Sequence, residues 1–280
     1  MTAFRTYVGL AVVLAAASAF AQGVKENVSV RALLQQARGQ ASSGNRAGAL
    51  ETLERARVLA PNSEEVLIGI AQVSLAARAP LRAIEVLEPL TRICPTVGEY
   101  HYVLGVALMQ AGDLVAAVDP LREAERLDPN RPLTLVALGL ALNGRKLYSE
   151  AEPHLRRSLE LQPGNIDAIA ALAEAQEGIG NTQEAATLAR RVLAASGAHA
   201  TANLVLGLVL MKQEQYAEAR DALLKVVAAD PASSRAHYQL SLAYARLGDA
   251  ASSEKHLELY RVRLREMEER AKAMRARTGS

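Results

Sequence analysis

Residues 96–129 read TVGEYHYVLGVALMQAGDLVAAVDPLREAERLDP. Leu104, Leu108 and Ala111 stand at i, i+4 and i+7, with Gly105 beside them. Gly112-Asp113 interrupts the run, and Ala117, Leu121 and Ala124 resume the same spacing until Asp128-Pro129. Apolar residues at a 3.6-residue period share one helix face, and proline, lacking an N–H, cannot continue a helix. The stretch therefore predicts helix, short turn, helix, turn.

Outward from this stretch the same arrangement recurs every 34 residues. Pro61, Pro95, Pro129 and Pro163 are spaced at that interval, the next step falls on Gly197 and the next on Pro231. The segments 28–61, 62–95, 96–129, 130–163, 164–197, 198–231 and 232–265 align without a gap. A small residue occupies one column: Ala37, Ala71, Gly105, Gly139, Ala173, Gly207 and Ser241. Twelve positions later comes Ala49, Ala83, Ala117, Ala151, Ala185, Ala219 or Ser253, and four beyond that Leu53, Leu87, Leu121, Leu155, Ala189, Leu223 or Leu257. Small residues in register let two helices approach closely. One hairpin cannot bury its apolar face alone, so stacked neighbours must supply the core.

Leu104-Gly105, Gly112, Ala117, Leu121, Ala124 and Pro129 resemble the tetratricopeptide repeat pattern, as do Leu206-Gly207, Tyr216, Ala219, Leu223 and Pro231. The resemblance covers 28–265 and implies an all-α, right-handed solenoid of about seven helix hairpins. Gln36 replaces the apolar residue of the other repeats, which suits an exposed end. Pro89, Pro120 and Pro153 fall inside second helices and predict kinked or shortened ones. Ala189 and Gly197 weaken the fifth repeat and predict looser packing there. Beyond 265, Leu257, Tyr260, Leu264, Met267, Ala271 and Met274 continue a stripe through a charged segment, 266–280 forming an extension and tail. It reads either as a helix capping the stack or as a short dimerising coiled coil.

Composition narrows the function classes. Half of the 280 residues are apolar, and 32 basic against 30 acidic residues leave a net charge of +2. That balance argues against disorder driven by charge and against a strongly basic nucleic-acid binder. One cysteine, Cys94, excludes an intramolecular disulfide framework and multi-cysteine metal sites, while leaving pairing between chains open. The five histidines fall at no HExxH or paired-ligand spacing and read as isolated side chains. Gly139 to Lys146 approaches a phosphate loop but lacks Lys followed by Ser or Thr, and the repeat already explains its glycines. No GxSxG elbow occurs. No catalytic residue, cofactor or metal is expected.

At the front, Arg5 precedes an uncharged run from Tyr7 to Phe20, and Ala19-Phe20-Ala21 supplies a small-x-small site. Residues 1–21 thus read as a secretory signal peptide cleaved before Gln22, with 22–27 a short linker. An uncleaved anchor is the alternative, although the run falls short of the about 20 apolar residues of a span. No second membrane-length segment follows, so a periplasmic or secreted protein is expected. Asn27-Val28-Ser29 is a glycosylation sequon, but the Ala- and Arg-rich composition looks bacterial.

The resemblance implies that first helices line a concave groove. There Tyr102, Val106, Met109, Val136 and Leu140 would form one apolar patch, and Leu204, Leu208, Met211, Tyr238 and Leu242 a second. An acidic strip of Asp167, Glu174 and Glu177 would separate them. Exposed apolar patches mark interaction surfaces, unless the stack or its last helix buries them. The expected contact residues are Tyr102, Val106, Met109, Leu140, Glu174, Leu208 and Tyr238. The expected partner is a protein or peptide carrying an amphipathic helix, or an apolar segment with basic residues. Envelope, pilus or polysaccharide-export machinery fits such an exported adaptor. A homodimer built through the C-terminal stripe is the alternative.

Overall fold

Residues 29–278 are described by this computed structural model, and they form fourteen helices with no strand among them. The leader, the 22–27 linker and the Asn27 sequon lie outside the described residues. The chain divides into two compact units after Pro129. The first holds α1 (29–42), α2 (Arg46–Leu59), α3 (Glu64–Ala76), α4 (Pro80–Ile93), α5 (Gly98–Ala111) and α6 (Leu114–Leu127). The second holds α7 (Pro132–Gly144), α8 (Tyr148–Leu161), α9 (Ile166–Ile179), α10 (Thr182–Ala195), α11 (Ala200–Lys212), α12 (Tyr216–Ala229), α13 (Ser234–Arg246) and α14 (Ala250–Thr278).

The helices keep the sequence period residue for residue. From Glu64 onward the first helices begin at Glu64, Gly98, Pro132, Ile166, Ala200 and Ser234, each 34 residues after the last. The second helices begin at Arg46, Pro80, Leu114, Tyr148, Thr182, Tyr216 and Ala250 at the same interval. One device makes this register. Each first helix ends with a backbone N–H returning to the carbonyl five residues earlier, as in Asp113 to Leu108, Leu147 to Leu142 and Asn181 to Gln176. Such a closure needs one residue in the left-handed region. Gly44, Gly112, Gly180 and Gly248 supply it without strain, but Arg78, Lys146 and Glu214 occupy the same column at φ 56 to 61°.

Packing inside a hairpin explains the small-residue column. A Cβ on Gly139 would come within 2.5 Å of Leu155, and one on Gly207 within 2.8 Å of Leu223. Gly105 is closed in the same way by Leu121. In the fifth repeat Ala173 and Ala189 stand at the crossing, and both are buried with Val192 and Ile169.

Pro89, Pro120 and Pro153 do not shorten their helices. α4, α6 and α8 each run 14 residues, as do α2, α10 and α12. The carbonyls that lose a donor belong to Glu85, Ala116 and Ser149, all exposed residues, where water can take the place of the lost donor.

The reading of five isolated histidines is corrected. His237 on α13 and His256 on α14 are buried, with Nδ1 atoms 2.9 Å apart, and Tyr244 stacks on His256 at 5.5 Å. The Pro231 carbonyl, 3.1 Å from His237 Nε2, can only accept, so Nε2 donates and His237 Nδ1 receives the Nδ1–H of His256. Among the described residues no group of three or more candidate metal ligands exists, and no helix is long and apolar enough to cross a membrane.

Candidate interaction surfaces

In the second unit α9 touches α7 and α11, and α11 touches α13, so the first helices lie side by side. Glu174 and Glu177 stand one turn apart on α9. Arg235 of α13 reaches both, its Nη1 3.2 Å from Glu174 and its Nη2 2.9 Å from Glu177. Lys212 of α11 places Nζ 2.7 Å from the other Glu177 oxygen. Glu177 is 8% exposed. Burial pushes the Glu174 carboxyl up, against the pull of Arg235, and burial also raises the Tyr148 phenol beside that arginine. The expected acidic strip is therefore largely an internally paired lattice binding three helices together. Its need for a basic partner is met within the chain. Asp167, in contrast, remains exposed, with only His199 Nε2 at 3.6 Å.

The apolar members of this face separate by exposure. Leu140, Tyr238 and Leu242 are 37–39% exposed. Val136 and Leu208 are buried and offer little surface. Leu208 lies on α11, over which the Arg235 bridge passes to reach α9. Tyr238 also meets Tyr260 of α14, with ring centroids 5.1 Å apart. The last helix thus covers part of the α13 face, as the capping alternative requires, and leaves part open. Along α14, Tyr260 is half-buried, whereas Leu264 and Met267 are exposed; the side chains of Ala271 and Met274 lie outside the described set.

In the first unit Tyr102, Val106 and Met109 are half-buried on α5. Near them the Tyr100 hydroxyl donates to Glu64 at 2.9 Å, and burial with this carboxylate pushes its pKa up to about 12. A hydrogen bond to Glu64 likewise raises the Cys94 thiol, which keeps it protonated and poorly nucleophilic. At the other end of this unit α1, α2 and α3 line an open cavity of about 340 Å³. Leu34, Ala37, Leu53, Ile68 and Val73 form its apolar floor, and Arg38, Arg46, Glu65 and Gln72 its mouth. Arg38 Nη2 is 2.6 Å from Glu65.

The pairings of Arg235 with Glu174 and Glu177 in the second unit, and of Arg38 with Glu65 in the first, follow no repeat column of the sequence. Gly139 and Gly144, the pair resembling a phosphate loop, lie within α7, where Gly139 packs on Leu155.

Comparison with known proteins adds the lineage. No curated protein sequence gives a significant match. Among solved structures, a tetratricopeptide repeat protein from Parabacteroides merdae aligns at TM-score 0.68 and 13% identity, over 84% of this chain and 99% of that one. The APC/C hetero-tetramer Cut9–Hcn1 aligns at 0.63 and 19%, over 77% of this chain, which spans only 43% of that one. The human IFIT1 dimer with PPP-AAAA aligns at 0.59 and 17%, over 80% and 58%. At these identities the likeness is one of fold. The family profile described as tetratricopeptide repeat matches residues 68–132, 170–233 and 206–265, more than half of the chain. With the 34-residue hairpins and their glycine–leucine crossings, this match shows that the chain belongs to the tetratricopeptide repeat family.

Proposed function

We propose that the protein is a non-catalytic scaffold, periplasmic or secreted, that holds a segment of an envelope partner protein on its first-helix faces. Proteins of this family generally act as interaction scaffolds. The observation that carries the reading here is the exposed apolar side chains on first helices of the second unit, Leu140 on α7 and Tyr238 with Leu242 on α13, which is tied to α9 through Arg235. Large apolar groups left 37–39% exposed beside fixed backbone suit a preorganised docking face. The location rests on the leader-like residues 1–21 alone.

The test is capture from an envelope extract by the full chain, beside a variant carrying Leu140→Glu and Tyr238→Glu. A protein retained by the first and lost by the second, and shielding α7 and α13 from hydrogen exchange, supports the scaffold. Recovery of the bait alone in both cases sinks it. A homo-oligomer is the second reading, favoured by Leu264 at 37% and Met267 at 58% exposure on α14. Mass measured against concentration separates the two: a monomer at every concentration removes the oligomer, and dissociation by Met267→Glu supports it.

A further inference from the structure

We infer that the open cavity lined by α1, α2 and α3 takes an apolar side chain from an acidic segment of the partner protein. This rests on the protein-binding reading above and gives the partner a charge. The cavity, about 340 Å³, lies at the small end of ligand pockets, which suits one large or two small apolar side chains rather than a whole helix. Its floor is formed by aliphatic side chains, so covering it with apolar surface is favourable.

The mouth decides the sign. Arg38 and Arg46 stand at it against one carboxylate, Glu65, and Arg31 lines the adjoining hollow that shares Leu34, Arg38 and Glu65. Arg38 is paired with Glu65, but the two side chains are 73% and 55% exposed, so the pair is weak and open to exchange. Arg31 and Arg46 carry no ion pair among the described residues and are exposed. A rim with this excess of guanidinium draws an anionic segment and orients it through bidentate contacts to Asp or Glu carboxylates. The second unit makes no such demand, because Arg235 and Lys212 are already engaged by Glu174 and Glu177. The first unit therefore sets the charge preference of the partner, and that preference is acidic.

Fluorescence anisotropy of the full chain tests this with three labelled hexapeptides: Asp-Glu-Leu-Phe-Glu-Asp, the same with Lys at the four acidic positions, and the same with Ser replacing Leu-Phe. The first is expected to bind about ten-fold more tightly than either other, the scale of one charged contact, and to weaken as salt is raised. Arg31→Glu with Arg46→Glu should remove that preference, and Ala76→Phe, at the last residue of α3 and in the cavity lining, should narrow the cavity and weaken the acidic apolar peptide with helical content unchanged. Val115→Glu, at an exposed side chain of α6 that does not line the cavity, should leave peptide binding intact. Equal binding of acidic and basic peptides, or no response to charge reversal, overturns the proposal. So does displacement of nothing by peptide but binding of laurate, which would make the cavity a site for a free acyl carboxylate. If the peptides fail while a captured protein still shields α7 and α13, the charge preference falls and the scaffold stands.

Discussion

The α1–α3 face and the α9–α13 face are built from the same repeat and use their charges in opposite ways. Around α9 every carboxylate one turn apart is answered: Glu174 and Glu177 are bound by Arg235 and Lys212, three helices are tied, and Glu177 is 8% exposed. Around α1 the arginines ring an apolar hollow, and the pairing present, Arg38 with Glu65, sits in water. Charge that is buried and paired holds a structure in one arrangement, whereas charge left exposed beside apolar surface is available to another molecule. The comparison breaks if the two sets of ion pairs prove equal in weight. Arg235→Ala leaves two carboxylates short of a partner and should cost about 2 kcal/mol, discounted from a fully buried pair because Arg235 is 38% exposed. Arg38→Ala should cost under about 0.5 kcal/mol. Hydrogen exchange resolved by unit reads both: faster exchange confined to α9–α13 in the first variant and none in α1–α3 in the second.

A second contrast inside the second unit concerns acid. Burial first, then His237 and Lys255, hold His256 below the ordinary histidine range. A histidine whose folded pKa is depressed binds fewer protons folded than unfolded. Its contribution is therefore complete above about pH 6.5 and is lost as pH falls below that value. The geometry agrees, because a second proton sets two N–H groups against each other across 2.9 Å. Glu174, raised by burial, acts the opposite way, gaining as pH falls toward the ordinary carboxylate range. The histidine effect is isolated by comparing wild type with His256→Gln. Between pH 8 and pH 5.5 the wild type should lose more stability than the variant, with the extra loss in exchange protection at α13 and α14. Equal losses would show that the pair titrates freely.

The fold was legible because its determinants are periodic. Gly105 with Leu121, Gly139 with Leu155 and Gly207 with Leu223 are fixed offsets that repeat, and each is a contact. The surfaces were legible only in part, because their determinants are not periodic. Glu174 and Arg235 are 61 residues apart, two repeats less seven, an offset that no helical spacing marks. Leu140 and Leu208 hold the same repeat position, yet one is 37% exposed and the other 7%. A pattern that assigns faces cannot register a side chain arriving from two helices away. The histidine pair was missed because residues 237 and 256 lie on different helices of one hairpin, where only the crossing geometry joins them.

The smallest expected effect sharpens the periodic side of this account. Seven turns close by the same backbone hydrogen bond, four on glycine and three on Arg78, Lys146 and Glu214 at positive φ. Nothing lies within 4 Å of a Cβ built at Gly112 or Gly180, so space does not explain the alternation and backbone strain is the difference to measure. A residue with a side chain pays about 1 kcal/mol in the left-handed region. Glycine relieves that strain but is freer when unfolded, which returns part of the gain. Lys146→Gly should therefore stabilise the protein by about 0.5 kcal/mol, and Gly112→Ala should destabilise it by about 1 kcal/mol, both read from denaturant unfolding at constant slope. If Lys146→Gly instead destabilises, the lysine side chain does work at that turn beyond backbone closure. The seven turns would then differ in kind, despite sharing one hydrogen bond.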